Sequence, residues 1–345
     1  MDPYPEYIES EEELEEVLTR PRQELIEFIP TLRSPLVLLG VGGKMGPSLA
    51  ILARRAALAA GHALDIVAVS RFSHEDIRRR LERHDIHTIA CDLMEDQPPG
   101  RLPDAENVIY LVGLKFGTTQ NPAMTWALNT LVPAHVARRY AGSRIVALSS
   151  GSLYPLVPVS LGGAIESSPL TPLGEYPNAC VARERIFEYF SSKNGTPMAL
   201  IRLFYAVELR YGVLVDIAQK VRTGEPVDLT MGYLNWIWQA DANEMIIRSL
   251  SLVGIPAVPF NLTHPDFISV REIALRFAER MGQSLHLVGQ EAASALLGNA
   301  SPICSLLGSP GTPLDRVLQW ISHWLQGGGK LLGKPTHFEV RDGKY

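Results

Sequence analysis

Leu36-Val37-Leu38-Leu39-Gly40-Val41-Gly42-Gly43-Lys44-Met45-Gly46 runs from four consecutive apolar residues into a glycine-rich turn. An apolar run with no polar alternation fits a central parallel strand covered on both faces. Beyond the turn, Leu49, Leu52, Ala53 and Ala56 share one helical stripe, with Arg54 and Arg55 off it. Buried strand, glycine turn and amphipathic helix, in that order, place backbone N–H groups at a helix start where they can hold a phosphate. The same residues would also serve as a tight strand–helix turn with no ligand, so the motif takes its meaning from what surrounds it.

Outward from this stretch, further strands are expected at 65–69, 86–91, 108–112, 144–148 and 198–203, with helical segments between them. Such alternation predicts an α/β fold, a Rossmann-type doubly wound parallel sheet over residues 35–205. Past 205 the rhythm weakens. Segments 213–223, 240–252 and 269–281 read as helices of a smaller mixed α/β substrate-binding region, 206–330, interleaved with the first. Residues 1–34 form an acidic helical extension, announced by Ser10 with Glu13 three residues on, a capping-box spacing. Residues 331–345 are a mixed-charge tail placed to lie across the body of the protein.

With 345 residues, 46% hydrophobic and 20% charged, the chain can bury a large core without metal or disulfide staples. Disorder, collagen and coiled coil are excluded. The net charge of −5 is uneven: residues 1–34 hold ten acids against three arginines, a net of −7, which leaves the rest near +2. Near-neutrality argues against a nucleic-acid partner. No uncharged apolar run reaches the roughly 18 residues a membrane helix needs, so no membrane partner is expected. Three widely spaced cysteines, Cys91, Cys180 and Cys304, fit a reducing cytoplasm. The nine histidines form no cluster, so no metal site is expected.

The spacing Gly40, Gly43, Gly46 resembles the GxxGxxG of short-chain dehydrogenases/reductases, and further motifs follow in that family's order. Cys91-Asp92-Leu93 looks like its adenine-contacting aspartate, and Leu128-Asn129 like its structural asparagine. Ser149-Ser150-Gly151-Ser152-Leu153-Tyr154-Pro155 is similar to its serine-rich loop, with Ser150 at the catalytic Ser/Thr. Pro172-Leu173-Gly174-Glu175-Tyr176 leads into a helix as its catalytic tyrosine does. Arg202-Leu203-Phe204 resembles its RLF strand end, and Asn261-Leu262-Thr263 with Ser269-Val270-Arg271-Glu272 matches the substrate domain of the extended epimerase/dehydratase branch. The resemblance covers roughly residues 36–325. It implies an NAD(P) site at Gly40, Gly42, Gly43, Lys44, Met45, Gly46, Ser70, Arg71, Asp92, Leu93 and Lys115. It also implies a homodimer formed through the helices that carry Asn129 and Tyr176. The second strand ends Val69-Ser70-Arg71 without the acid that binds an NAD ribose. NADP is therefore favoured over NAD, with Arg71 and Lys44 near the 2′-phosphate; otherwise Arg71 is an exposed loop residue.

The resemblance also implies catalysis by Ser150 and Tyr176, with a lysine four residues beyond the tyrosine to lower its pKa. Here that position is Cys180. A cation at about 4 Å in an effective dielectric of about 20 is worth roughly 4 kcal/mol, or roughly 3 pKa units. Two replacements are open. Lys115, after the fourth strand in Gly113-Leu114-Lys115-Phe116-Gly117, is taken as the third catalytic residue. Arg183, two helical turns beyond Tyr176, is either the substitute or a helix-surface charge. Cys180 itself reads as a small buried hydrophobe or as a thiol with a lowered pKa. Substrate contacts are expected at Ser152, Tyr205, Arg210 and Asn235, although Tyr205-Ala206-Val207-Glu208-Leu209-Arg210 keeps only the arginine of the branch's YGPR-like turn, which argues against a nucleotide sugar. Trp236 and Trp238 suit a sugar or core packing equally. Two functions follow: hydride transfer at a secondary alcohol of a sugar, sugar acid or sugar derivative, or a catalytically idle NAD(P)-binding regulator or scaffold.

Overall fold

The computed structural model describes residues 4–95, 102–114, 120–334 and 336–343. Among these, seven strands build one sheet: β1 (Leu36–Leu39), β2 (Ile66–Ser70), β3 (His87–Ala90), β4 (Asn107–Tyr110), β5 (Arg144–Ser150), β6 (Met198–Leu203) and β7 (Val258–Leu262). Their order is β3-β2-β1-β4-β5-β6-β7, and every pairing is parallel. The chain reverses direction across the sheet between β1 and β4. In doubly wound sheets a crevice opens there, beyond the carboxyl ends of the strands.

Side-chain alternation along each strand divides the core into two layers. Leu36 and Leu38 of β1 face a layer containing α3 (Gly46–Ala59), α4 (Glu75–Glu82) and α10 (Ser301–Leu307), while Val37 and Leu39 face one containing α5 (Pro122–Arg139) and α6 (Glu175–Asn194). All four residues of β1 are buried, as the unbroken apolar run requires. Two pieces expected in the second region belong to this body instead. Strand β7 pairs with β6, Asn261 opposite Arg202. Helix α8 (Gln239–Arg248) sends Ala242, Met245, Ile246 and Ile247 into the core beside α3.

A second core is formed by α7 (Val213–Thr223), α9 (Val270–Met281) and α11 (Leu314–Gln326) with Trp236, Trp238 and Trp320. Both Trp236 and Trp238 are fully buried there, as packing residues. The acidic extension packs on both cores. Helix α1 (Glu11–Leu18), capped by Ser10 accepting from the Glu13 N–H at 3.1 Å, inserts Leu14, Val17 and Leu18 into the second core. After α2 (Gln23–Phe28), Ile29 and Leu32 join the first. The tail does cross the body: Phe338 is buried in the second core, and Arg341 donates to the carbonyl of Ser294 at 2.9 Å. Among the described residues, no helix is long and apolar enough to cross a membrane.

One buried ion pair fixes the loops beside the crevice. Arg202 of β6 donates to Glu184 of α6 at 2.7 Å and to the Tyr154 hydroxyl at 2.6 Å, and that hydroxyl donates to Asn261 at 2.8 Å. Both charges are almost wholly removed from solvent. Glu184→Ala leaves the guanidinium uncompensated, which typically costs about 3–5 kcal/mol. Urea unfolding of the variant is expected to show a loss of that size; a loss well under about 1 kcal/mol, the scale of an exposed pair, would mean that water reaches the arginine.

Candidate active site

At the carboxyl end of β1 the backbone turns at Gly40, whose φ of +87° suits glycine. Its N–H donates to the Val69 carbonyl at 2.8 Å. A Cβ on Gly42 would come within 2.5 Å of Ser70 Oγ, and one on Gly46 would overlap the Val41 carbonyl. Gly43 is open, with nothing nearer than the Gly40 oxygen at 3.6 Å. Helix α3 starts at Gly46 with no side-chain cap, so the first N–H groups remain available and carry the positive end of the helix dipole. Gly40, Gly43, Lys44, Met45 and Gly46 line a cleft of about 1080 Å³ including its open mouth. This uncapped helix end, approached through glycines, fits the pyrophosphate of a dinucleotide.

The other expected cofactor residues are distributed around the sheet edge. Ser70 abuts Gly42, and Arg71 is exposed just past the tip of β2. Asp92 accepts from the Met94 N–H at 3.0 Å and so shapes its own turn, and Leu93 is buried under the sheet. Lys44, expected beside Arg71, is directed elsewhere. Its ammonium donates to the Ala206 carbonyl at 3.0 Å and lies 3.5 Å from the centre of the Tyr211 ring, across the cleft. Lys115 lies outside the described residues.

Strand β5 ends at Ser150, whose Oγ accepts from the Ser152 N–H at 3.1 Å and so holds the short turn Gly151–Leu153. Helix α6 begins after Gly174 (φ +92°) and brings Tyr176, in its first turn, into the same cleft. Ser150 lines the cleft beside it, and Cys180 lies one helical turn on. Burial pushes the Tyr176 pKa far above the usual tyrosine value and Cys180 adds to this; Arg183 and Ser150 pull the other way.

Residues 176, 180 and 183 share one face of α6. Cys180 is fully buried. Arg183 is buried as well rather than a helix-surface charge. Its guanidinium donates to the Leu148 carbonyl at 2.7 Å, to the Asn129 side-chain oxygen, and to Cys180 Sγ at 3.6 Å. Asn129 in turn donates to the Thr125 carbonyl at 2.8 Å.

Of the four expected substrate residues, Ser152 and Tyr205 line the cleft. Arg210 and Asn235 do not. Arg210 is held by Glu11 of α1 at 2.7 Å and by Glu208 at 3.3 Å. Asn235 is fully buried and accepts from the Gly298 N–H at 2.7 Å. The cleft wall includes instead Phe204, Tyr211, Val213, Leu296 and Thr336, none of them expected there. Tyr211 and Val213 lie beyond a departed motif. Thr336, in the tail, is placed by Asp216, which accepts from both its N–H and its hydroxyl at 2.7 and 2.5 Å. Among the described lining residues, Lys44 is the charged one.

Residues 37–229, more than half of the chain, match the model of the NAD dependent epimerase/dehydratase family, and the chain belongs to that family. No curated protein matches the chain in sequence. Among solved structures, UDP-galactose 4-epimerase superposes with a TM-score of 0.65 at 18% identity, over 84% of this chain and 97% of that one. UDP-glucuronic acid 4-epimerase from Bacillus cereus, solved with UDP-glucuronic acid and NAD, gives 0.69 at 15% identity, over 85% and 99%. dTDP-glucose 4,6-dehydratase from Bacillus anthracis, solved with NAD, gives 0.70 at 12% identity, over 85% and 97%. At these identities the likeness is one of fold.

Proposed function

We propose that this protein catalyses NAD(P)-dependent hydride transfer at a secondary alcohol of a sugar or sugar derivative, as an oxidoreductase or epimerase. The observation that carries this reading is that Tyr176 and Ser150 line the same cleft onto which the glycine turn and the uncapped end of α3 open. A nicotinamide cofactor, when bound, supplies the hydride acceptor or donor. The N–H groups of the turn and of α3 hold the pyrophosphate. Ser150 orients the substrate hydroxyl; the ionised form of Tyr176 takes the proton from its oxygen as the carbonyl forms, and the neutral phenol so produced returns it in the reverse direction. The aromatic and aliphatic wall of Phe204, Tyr205, Tyr211 and Leu296 excludes water and suits the C–H face of a sugar ring. With Arg210 held by Glu11 and Glu208, that wall favours a free sugar derivative over a nucleotide-linked one.

Arg71, exposed at the tip of β2 with no acid at the strand end, supports NADP over NAD. Arg71→Glu is therefore expected to weaken NADP about 10- to 100-fold, the worth of one charged hydrogen bond, with NAD little changed. Calorimetric titration with both dinucleotides checks this, and an equal loss for the two would remove the preference. Exposed Met124, Trp126 and Leu131 on α5 and Tyr189 on α6 support a homodimer through this helix pair, in the reducing cytoplasm. The replacement of the family lysine by Cys180 favours the second reading, an idle cofactor-binding regulator. One experiment separates the two: titrate NAD and NADP, then screen uncharged sugars, sugar acids and nucleotide sugars by the absorbance of the reduced cofactor. Binding with turnover supports the enzyme; binding with none across the three sets supports the regulator, and no binding of either dinucleotide overturns both.

A further inference from the structure

The tail that crosses the body carries a half-buried cation, Arg341, whose partners are neutral. Its Nη1 donates to the carbonyls of Ser294 at 2.9 Å and Thr230 at 3.2 Å and lies 3.7 Å from Met231 Sδ. Its Nη2 donates to Ser294 Oγ at 2.9 Å. Those bonds use both hydrogens of Nη1 and one of Nη2. The Nε hydrogen and the second hydrogen of Nη2 remain, side by side along one edge of the guanidinium. Nε has no partner among the described residues, and it is not buried. No carboxylate of a described residue pairs with this arginine.

Arg341 and Val340 line a recess of about 580 Å³ including its mouth. Ser152 and Leu296 line both that recess and the cleft, so the two spaces adjoin. Ser152 also joins the recess to the chemistry, because the Ser150 hydroxyl donates to Ser152 Oγ at 3.0 Å. The tail is fixed where it forms this wall. Thr336 is tied to Asp216, Phe338 is buried in the second core, and Glu339 accepts from Lys220 at 2.9 Å. The Gly343 carbonyl packs so closely on Gly174, just before the helix of Tyr176, that a Cβ on Gly174 would overlap it.

Among the described residues that line the cleft and the recess, the charged ones are Lys44 and Arg341, both cations. A space walled by cations without an acid favours an anionic ligand over a neutral one. We propose that the substrate is a sugar acid, its carboxylate held in the recess by Arg341 while its alcohol meets Ser150 and Tyr176 in the cleft. The Nε and Nη2 edge matches the two oxygens of a carboxylate as a fork. A carboxylate is favoured over a phosphate because one guanidinium balances its single charge, whereas a phosphate monoester carries nearly two. Leu156, Leu173 and Leu296 around the arginine add no donors for the difference. The inference rests on the reading of the cleft as the place where a sugar alcohol reacts, but its test does not need turnover.

The full-length protein, loaded with NADP and separately with NAD, is titrated calorimetrically with aldonates and uronates of pentoses and hexoses, D-gluconate and D-glucuronate among them. The neutral parent sugars, the matching carboxamides and the sugar phosphates are titrated beside them. At least one sugar acid is expected to bind at least about tenfold tighter than its parent and its carboxamide. Arg341→Gln should weaken that acid by about 10- to 100-fold, the worth of one charged hydrogen bond, and leave the neutral parent unchanged. Arg341→Lys, which keeps the charge and loses the fork, should recover part of the loss. The proposal is overturned if no sugar acid binds tighter than its parent, if a sugar phosphate binds tighter than every acid, or if Arg341→Gln keeps the preference. If Arg341→Gln fails to fold, the acid and its carboxamide on the wild-type protein decide, and equal affinity overturns the proposal. The two readings fail by different results. A sugar acid that binds through Arg341 without any reduced cofactor removes the enzyme and leaves this site; turnover of neutral sugars alone does the reverse.

Discussion

Tyr176→Phe is expected to lower kcat by about 10²- to 10⁴-fold, the usual worth of a positioned general acid or base, while the protein folds and binds cofactor as before. The ring is buried in the first turn of α6, and phenylalanine fills the same volume. Only the oxygen is lost. Its neighbours keep their own partners: Ser150 still accepts from the Ser152 N–H, and Cys180 still accepts from Arg183. Little strain or orphaned polarity follows, so the thermal midpoint should stay within a few degrees. The effect belongs in kcat, because the proton is transferred at the transition state rather than on binding. Steady-state kinetics on any substrate found in the screen, beside a melting curve, check the prediction. A variant that turns over at the wild-type rate would move the acid and base away from Tyr176.

What the sequence disclosed follows from how local each feature is. The apolar run 36–39 and the glycines after it carry their meaning within eleven residues, and the strand–turn–helix they predict is the one observed. Strand β7 was hidden because Val258-Pro259-Phe260-Asn261-Leu262 interrupts its apolar character with a proline, which is tolerated at the sheet edge, and with an asparagine satisfied by distant loops. Arg210 looked like a substrate ligand because its partner Glu11 stands 199 positions away. The burial of Arg183 could not be read from its spacing either. Helix α6 packs against both α5 and the sheet, so its inward faces are wide and i+7 does not say whether a residue lies inside them. Leu296 and Thr336 reach the cleft through the return of the chain, which no local pattern records.

Gly46→Ala is expected to lose cofactor affinity by at least about tenfold and to cost stability of about 1–3 kcal/mol, the scale of overpacking. Propensity alone predicts the reverse. Gly46 opens a helix, its φ is not among the positive ones, and alanine in a helix interior is favoured over glycine by about 0.5–1 kcal/mol. Packing decides otherwise. The added Cβ would overlap the carbonyl carbon and oxygen of Val41, which are backbone atoms and have no rotamer to change. Helix α3 cannot slide away, because Leu49, Ala50 and Ala53 are locked under the sheet. The displacement must fall on the turn between Gly40 and Gly46, whose N–H groups are the proposed pyrophosphate site. Gly43→Ala is the matched control. Its Cβ would meet only the Gly40 oxygen at 3.6 Å, an ordinary contact, and so should leave stability unchanged. Because Gly43 lines the cleft, the same methyl should still obstruct the dinucleotide. Urea unfolding and calorimetric titration with NAD and NADP on both variants separate the two effects: Gly46→Ala should lose stability and binding together, Gly43→Ala binding alone. A Gly46→Ala protein that unfolds and binds as the wild type does would show that the turn is looser than its contacts imply and would remove it as the cofactor cradle.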